Sequence, residues 1–136
     1  MKRELIFVVK VTATLAILLT ACGGAASLDG TEWLLTSLNG DTPVGGASFT
    51  LAFGDGQISG KAGCNSYFGD YDQSGNTLSI PMIGMTEMYC MDPAGVMDQE
   101  STYLGILSRL GTFSVVGSQL RLDTADGAFL VFKAVE

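Results

Sequence analysis

The sequence predicts a small, mainly β domain with one α-helix: seven or eight short antiparallel strands in a barrel or sandwich, closed or flanked by one amphipathic helix. Three observations predict it. From Leu28 onward, short alternating apolar runs recur about every 8–12 residues between Gly, Asn and Asp turn signals. A single stretch, between Asp92-Pro93 and Gly111, carries apolar residues at helical spacing instead. The chain has 136 residues, enough for at most one ordinary domain beside a targeting segment.

The first run, Glu32 to Leu38, ends at Asn39-Gly40, a pair that tolerates positive φ and marks a hairpin turn. Ser48 to Phe53 alternates, with Phe49, Leu51 and Phe53 on one face, and Gly54-Asp55-Gly56 turns it back into Gln57 to Lys61. Tyr67 to Tyr71 and Thr77 to Ile80 flank Asp72-Gln73-Ser74-Gly75-Asn76 as a second hairpin. For the helix, Asp92 reads as N-cap, Pro93 as the first helical residue and Gly111 as the residue just past its end. Val96, Tyr103, Leu107 and Leu110 form its stripe, with Met97 and Leu104 beside it, over about four to five turns. Phe113 to Val116, Gln119 to Leu122 and Ala128 to Phe132 complete the strands. Such a helix must bury its stripe against the sheet or across a barrel mouth. Trp33 and the Phe49-Leu51-Phe53 face are expected to fill the core of so small a domain rather than line a ligand cavity.

Residues 1–21 read as an address. Met1-Lys2-Arg3 is a basic start, Val11 to Leu19 is an apolar run about half the ~20 residues a spanning helix needs, and small residues follow. The close, Leu19-Thr20-Ala21-Cys22, resembles a bacterial lipobox, which implies that Cys22 is acylated and becomes the mature N-terminus. Acyl chains hold a protein to a membrane at ~0.8 kcal/mol per buried methylene. Residues 22–27 then form a short tether, and Gly23 stands where an inner-membrane retention signal has Asp. The expected place is therefore the outer membrane, facing the periplasm.

Three of the seven basic residues (Lys2, Arg3, Lys10) and one of the 14 acidic ones (Glu4) lie in that leader. The remainder carries four basic against 13 acidic residues, a formal charge of −9. Nucleic acid is an unsuitable partner for such a body, because phosphate binding needs clustered cations. Histidine is absent, which removes His-based triads and His metal ligands. With Cys22 committed to lipid, Cys64 and Cys90 remain as an even pair in an oxidising setting. A disulfide is the favoured reading and two free buried thiols the alternative. Two thiols alone cannot close a zinc site, so neither metal nor cofactor is expected.

Several stretches together resemble one family. They are Thr31-Glu32-Trp33-Leu34-Leu35 with Asn39-Gly40, Gly60 to Tyr67 around Gly63-Cys64-Asn65, Met85 to Cys90 with Thr86 and Met88, Met97 to Leu104 with Glu100, and Leu120-Arg121-Leu122. Their order and spacing are similar to the META domain (HslJ-like) family, over residues 28–136. The resemblance implies a small calycin-like β-barrel with one helix, commonly carried on envelope lipoproteins and linked to stress tolerance. It implies no agreed catalytic activity. Glu87 stands where members often have a basic residue.

Three constellations are read as structural. Asp70 to Asn76 has the oxygens of half a calcium loop, but Pro81 occupies the position of its bidentate Glu. Gly63-Cys64-Asn65-Ser66 has no histidine to activate a nucleophile. Glu100 falls on the apolar side of the helix, where a satisfied structural carboxylate is favoured over a catalytic acid. Met82, Met85, Met88 and Met91 recur every third residue, a spacing that Cu(I) sites use. They are expected to pack as core filler instead. The functional expectation is a non-catalytic envelope lipoprotein, bound to the membrane through Cys22, that serves as a binding or stress-protective module for an envelope partner. The alternative is a carrier of a small apolar ligand.

Overall fold

A computed structural model describes residues 25–136; the leader and Cys22 lie outside the described residues. The strands are β1 (Thr31–Leu38), β2 (Thr50–Gly54), β3 (Gln57–Lys61), β4 (Ser66–Asp70), β5 (Asp72–Ser74), β6 (Thr77–Ser79), β7 (Gly84–Met85), β8 (Leu110–Val116), β9 (Gln119–Thr124) and β10 (Phe129–Ala134). One helix, α1 (Val96–Leu107), interrupts them. All pairings are antiparallel, and the ten strands form one sheet in the order β5-β6-β8-β9-β10-β1-β2-β3-β4-β7.

The sheet curls into a half-barrel. Its edges are β5 and β7, yet β4, which neighbours β7, runs into β5 through the single residue Tyr71. Two residues span at most about 7 Å, so the chain itself draws the two ends together. Tyr71 secures the bend: its N–H donates to the Gly56 carbonyl, and its ring packs edge-on against Phe53 at 5.0 Å.

Alternation decides what fills the concave side. Trp33 and Leu35 of β1, Leu51 and Phe53 of β2, Ile58 of β3 and Tyr67 of β4 point inward with Leu120, Leu122, Leu130 and Phe132. On β1 the inward parity changes from Leu35 to Leu38, and a register shift between Leu35 and Ser37 is the cause. The Trp33 indole N–H donates to Thr31 Oγ1 at 2.7 Å, which satisfies its one polar atom inside. Leu28 is buried as well; Gln73 of β5 accepts its N–H and donates to the Ala26 carbonyl. The expected core filling by Trp33, Phe49, Leu51 and Phe53 is observed.

Three expectations need correction. Among the described residues there are ten strands rather than seven or eight, because β5 and β7 are too short for a repeating apolar pattern and the β5 residues look like a turn. Consequently β4 pairs with β3 and β7, while β6 pairs with β5 and β8. The helix has 12 residues, not four to five turns. Gly95, at φ 86°, lies outside helical space, so the helix begins only after it, three residues beyond Pro93. At the other end Leu110 already pairs with Thr124, and Gly111 is the extra residue of a bulge in β8 rather than a helix terminator.

Candidate functional site

The turn after β3 is built around two tight places. Gly63 has φ 84°, and a Cβ there would meet Val96 Cγ2 at 2.8 Å and the Phe49 ring at 2.9 Å. The Ala62 N–H donates to the Asn65 carbonyl at 2.8 Å and closes the turn. The N–H groups of Cys64 and Asn65 thereby face the helix.

Glu100 meets them. Val96, Glu100, Tyr103 and Leu107 share one helix face, so the carboxylate enters the interior with the apolar stripe. It is 2% exposed and accepts three N–H groups: Asn65 N at 2.7 Å, Cys64 N at 3.2 Å and Asn65 Nδ2 at 2.6 Å. Asn65 uses its remaining capacity on the next segment. Its Oδ1 accepts from Met88 N at 2.7 Å and Thr86 Oγ1 at 2.8 Å, and its Nδ2 also donates to the Met88 carbonyl at 3.0 Å. Thr86 Oγ1 in turn accepts the Ser66 N–H. The Cys64–Cys90 disulfide, with Cα atoms 5.8 Å apart, fastens the same two segments covalently. Among the described residues no buried side-chain polar atom lacks a partner.

Gly63, Cys64, Asn65, Thr86, Met88, Cys90 and Glu100 therefore meet at one place. Each polar group there is consumed by another group of the chain, and the thiols are oxidised. The cluster joins a turn, a strap (residues 86–90) and the helix into one unit. Glu100 is the carboxylate that this unit closes on.

A second polar cluster lies deeper. Tyr67 donates to the Thr50 carbonyl at 2.6 Å and accepts from the Tyr103 hydroxyl at 2.7 Å. Burial pushes both phenols above their usual range. Tyr103 also packs edge-on against Phe49, Tyr67 and Phe132, which seats α1 over the concave side. Gln99, within the Met97 to Leu104 stretch, donates to the Thr42 carbonyl and accepts from Val44 N, tying the loop after β1 to the helix.

The methionine expectation is overturned. Met82 and Met91 are 79% and 80% exposed, and Met85 and Met88 are exposed too. The strap is gripped by its backbone at Met88, so its side chains owe nothing to the core, which aromatic and branched residues already fill. Among the described methionines only Met97 turns inward, its Sδ accepting the Cys90 N–H at 3.5 Å. The acidic stretch Asp70 to Asn76 is not a loop but contains β5. Among the described residues no group of three or more Cys, Asp and Glu side chains could hold a metal.

An outer face was missed by sequence reasoning. On β4, Tyr67 points inward, so Phe68 must point outward, and it is 63% exposed. Its cross-strand neighbours are small: Ser59 on β3, Gly84 on β7 and, beyond Ser59, Ala52 on β2. Two shallow hollows of about 340 and 530 Å³ flank Phe68, one toward Glu32, Ala52 and Asp55, the other toward Asp70, Asp72 and Met82. The available signal was an aromatic residue at an outward position of a strand.

A half-barrel of antiparallel strands, braced on its concave side by one helix through an Asn–Glu cluster and a disulfide, defines the class: a small, mainly β domain with a filled interior. The chain belongs to the META domain family, whose model matches residues 26–136. Among solved structures it is similar to a protein from Burkholderia xenovorans determined by NMR, at 30% identity, covering 79% of this chain and 83% of that one, with a TM-score of 0.64. A second NMR structure is similar at 28% identity over 78% of this chain and 90% of that one, also with a TM-score of 0.64. No curated protein matches the chain.

Proposed function

We propose that this protein is a lipoprotein of the bacterial cell envelope, held through acyl chains on Cys22 in the outer membrane and facing the periplasm. Its META domain works there without catalysis, as a binding or stress-protective module. Family membership and the lipobox-like end of the leader support the placement. One observation carries the binding role: apolar side chains fill the concave side, while Phe68 on β4 and Met82, Met85, Met88, Tyr89 and Met91 in the segment between β6 and α1 are left exposed. A soluble domain rarely leaves such a concentration unused. The filled interior speaks against the alternative, a carrier with an apolar ligand in the barrel. Native mass spectrometry on protein gently extracted from membranes tests both parts. The expected spectrum shows acyl chains on Cys22 and no passenger molecule. A co-purifying apolar ligand would replace the binding module with the carrier, and an unacylated Cys22 would remove the anchor.

A further inference from the structure

The exposed face around Phe68 has a definite chemistry. Glu32, Ala52, Ser59, Phe68 and Gly84 lie in one cross-strand row on the convex side. A Cβ on Gly84 would stand 2.6 Å from the Phe68 ring, so the ring lies across that glycine with its other side free. From Ala52 to Gly84 the row crosses three strand spacings, about 14 Å, the length of four or five residues of extended peptide. The hollows on either side are lined by Glu32, Asp55, Asp70 and Asp72, and by no Lys or Arg. The nearest cation along these strands is Lys61, two residues beyond Ser59 on β3 and opposite Ser66.

We propose that this face docks a basic, extended segment of a partner polypeptide, with an apolar side chain laid on Phe68 and Lys or Arg side chains reaching the rim carboxylates. The proposal rests on the preceding reading that the protein binds through its outer face. Charge complementarity selects the occupant. A second copy would bring the same carboxylates and the same net negative charge against the rim. An anionic lipid surface meets the same repulsion. A basic segment gains at the rim and gains apolar contact at the centre, an arrangement in which a central aromatic contributes most and the rim sets partner choice and salt dependence.

The test uses protein purified in non-ionic detergent from cells expressing all 136 residues, titrated with three fluorescent decapeptides. The first alternates Lys with Phe and Leu, the second replaces each Lys by Glu, and the third replaces each Lys by Ser. Amide shifts are followed by NMR in parallel. The expected result is saturable binding of the Lys peptide with shifts at Ser59, Phe68, Gly69 and Gly84. Phe68→Ser weakens it about tenfold, Asp55→Asn/Asp72→Asn weakens it about threefold, and added salt weakens it further. Equal binding of the Lys and Ser peptides at these amides would overturn the basic occupant and leave the face as a binding surface. If no peptide moves these amides, both the occupant and the face fall. Vesicles of anionic lipid that shift the same amides, or a dimer dispersed by Phe68→Ser, would also overturn the proposal.

Discussion

Replacing Glu100 by Gln tests the brace most sharply, because the substitution keeps the shape and turns one acceptor into a donor. The carboxylate accepts two backbone N–H groups, from Cys64 and Asn65, and the Asn65 side-chain amide at 2.6 Å. In Glu100→Gln one oxygen can keep the backbone donors, but the new NH2 then faces the Asn65 NH2. Hydrogen bonds to charged groups contribute about 1.5–3 kcal/mol and neutral ones about 0.5–1.5. Losing that difference at the backbone bonds and opposing two donors at the third site costs about 3 kcal/mol in all. With a urea slope of about 2 kcal/mol per molar, the midpoint falls by about 1.5 M. Asn65→Asp alone sets two carboxylates together and is at least as damaging. The double variant Asn65→Asp/Glu100→Gln restores a donor–acceptor pair, so the cycle shows a favourable coupling of about 1 kcal/mol or more. A single-variant cost below about 1 kcal/mol, or a strictly additive cycle, would refute the reasoning.

Other consequences are equally specific. The Cys64–Cys90 bridge closes a separation of 26 residues and stabilises by about 3.5 kcal/mol on the chain-entropy estimate; Cys64→Ala/Cys90→Ala should lower the thermal midpoint, and reduction should add the mass of two hydrogen atoms. Gly60→Ala would place its Cβ 2.0 Å from the Thr50 carbonyl oxygen and 2.9 Å from the Tyr67 hydroxyl, so it should cost more than about 2 kcal/mol. Gly45→Ala, with nothing within 4 Å, is the matched control and should change stability by less than about 0.5 kcal/mol. The raised phenols of Tyr67 and Tyr103 give an alkaline signature. Their contribution is complete below the unfolded phenol value near 10 and is lost as pH rises above it, because only the unfolded chain then releases the protons. The urea midpoint should fall steeply above pH 10, by up to about 1.4 kcal/mol per pH unit for each phenol, and Tyr67→Phe should make that fall shallower.

Strong local rules made most strands legible. Gln57 to Lys61 lies where the glycine turn and alternation place it, and the Asn39-Gly40 turn ends β1 where expected, both residues at positive φ. Leu110 failed because a stripe at helical spacing can run on by coincidence into a strand, and only pairing with Thr124 decides its state. The motif residues were recognisable as a set, but their convergence was not. Asn65 binds Met88 and Glu100 through contacts 23 and 35 residues apart in the chain, and no local pattern encodes such distances. The methionines misled because composition speaks of apolar filler, whereas the backbone hold at Met88 leaves their side chains outside.

The proposed working surface is the outer face, and photo-cross-linking in living cells tests it directly. A photoreactive amino acid at Phe68 or Met82 should yield a discrete cross-linked product on irradiation. The same group at Val116, exposed at the end of β8 beside the turn into β9, should yield none. The Phe68 and Met82 products should also weaken in the Asp55→Asn/Asp72→Asn background. Equal labelling from all three positions, or a discrete product from Val116 alone, would contradict the claim that this domain works through the face centred on Phe68.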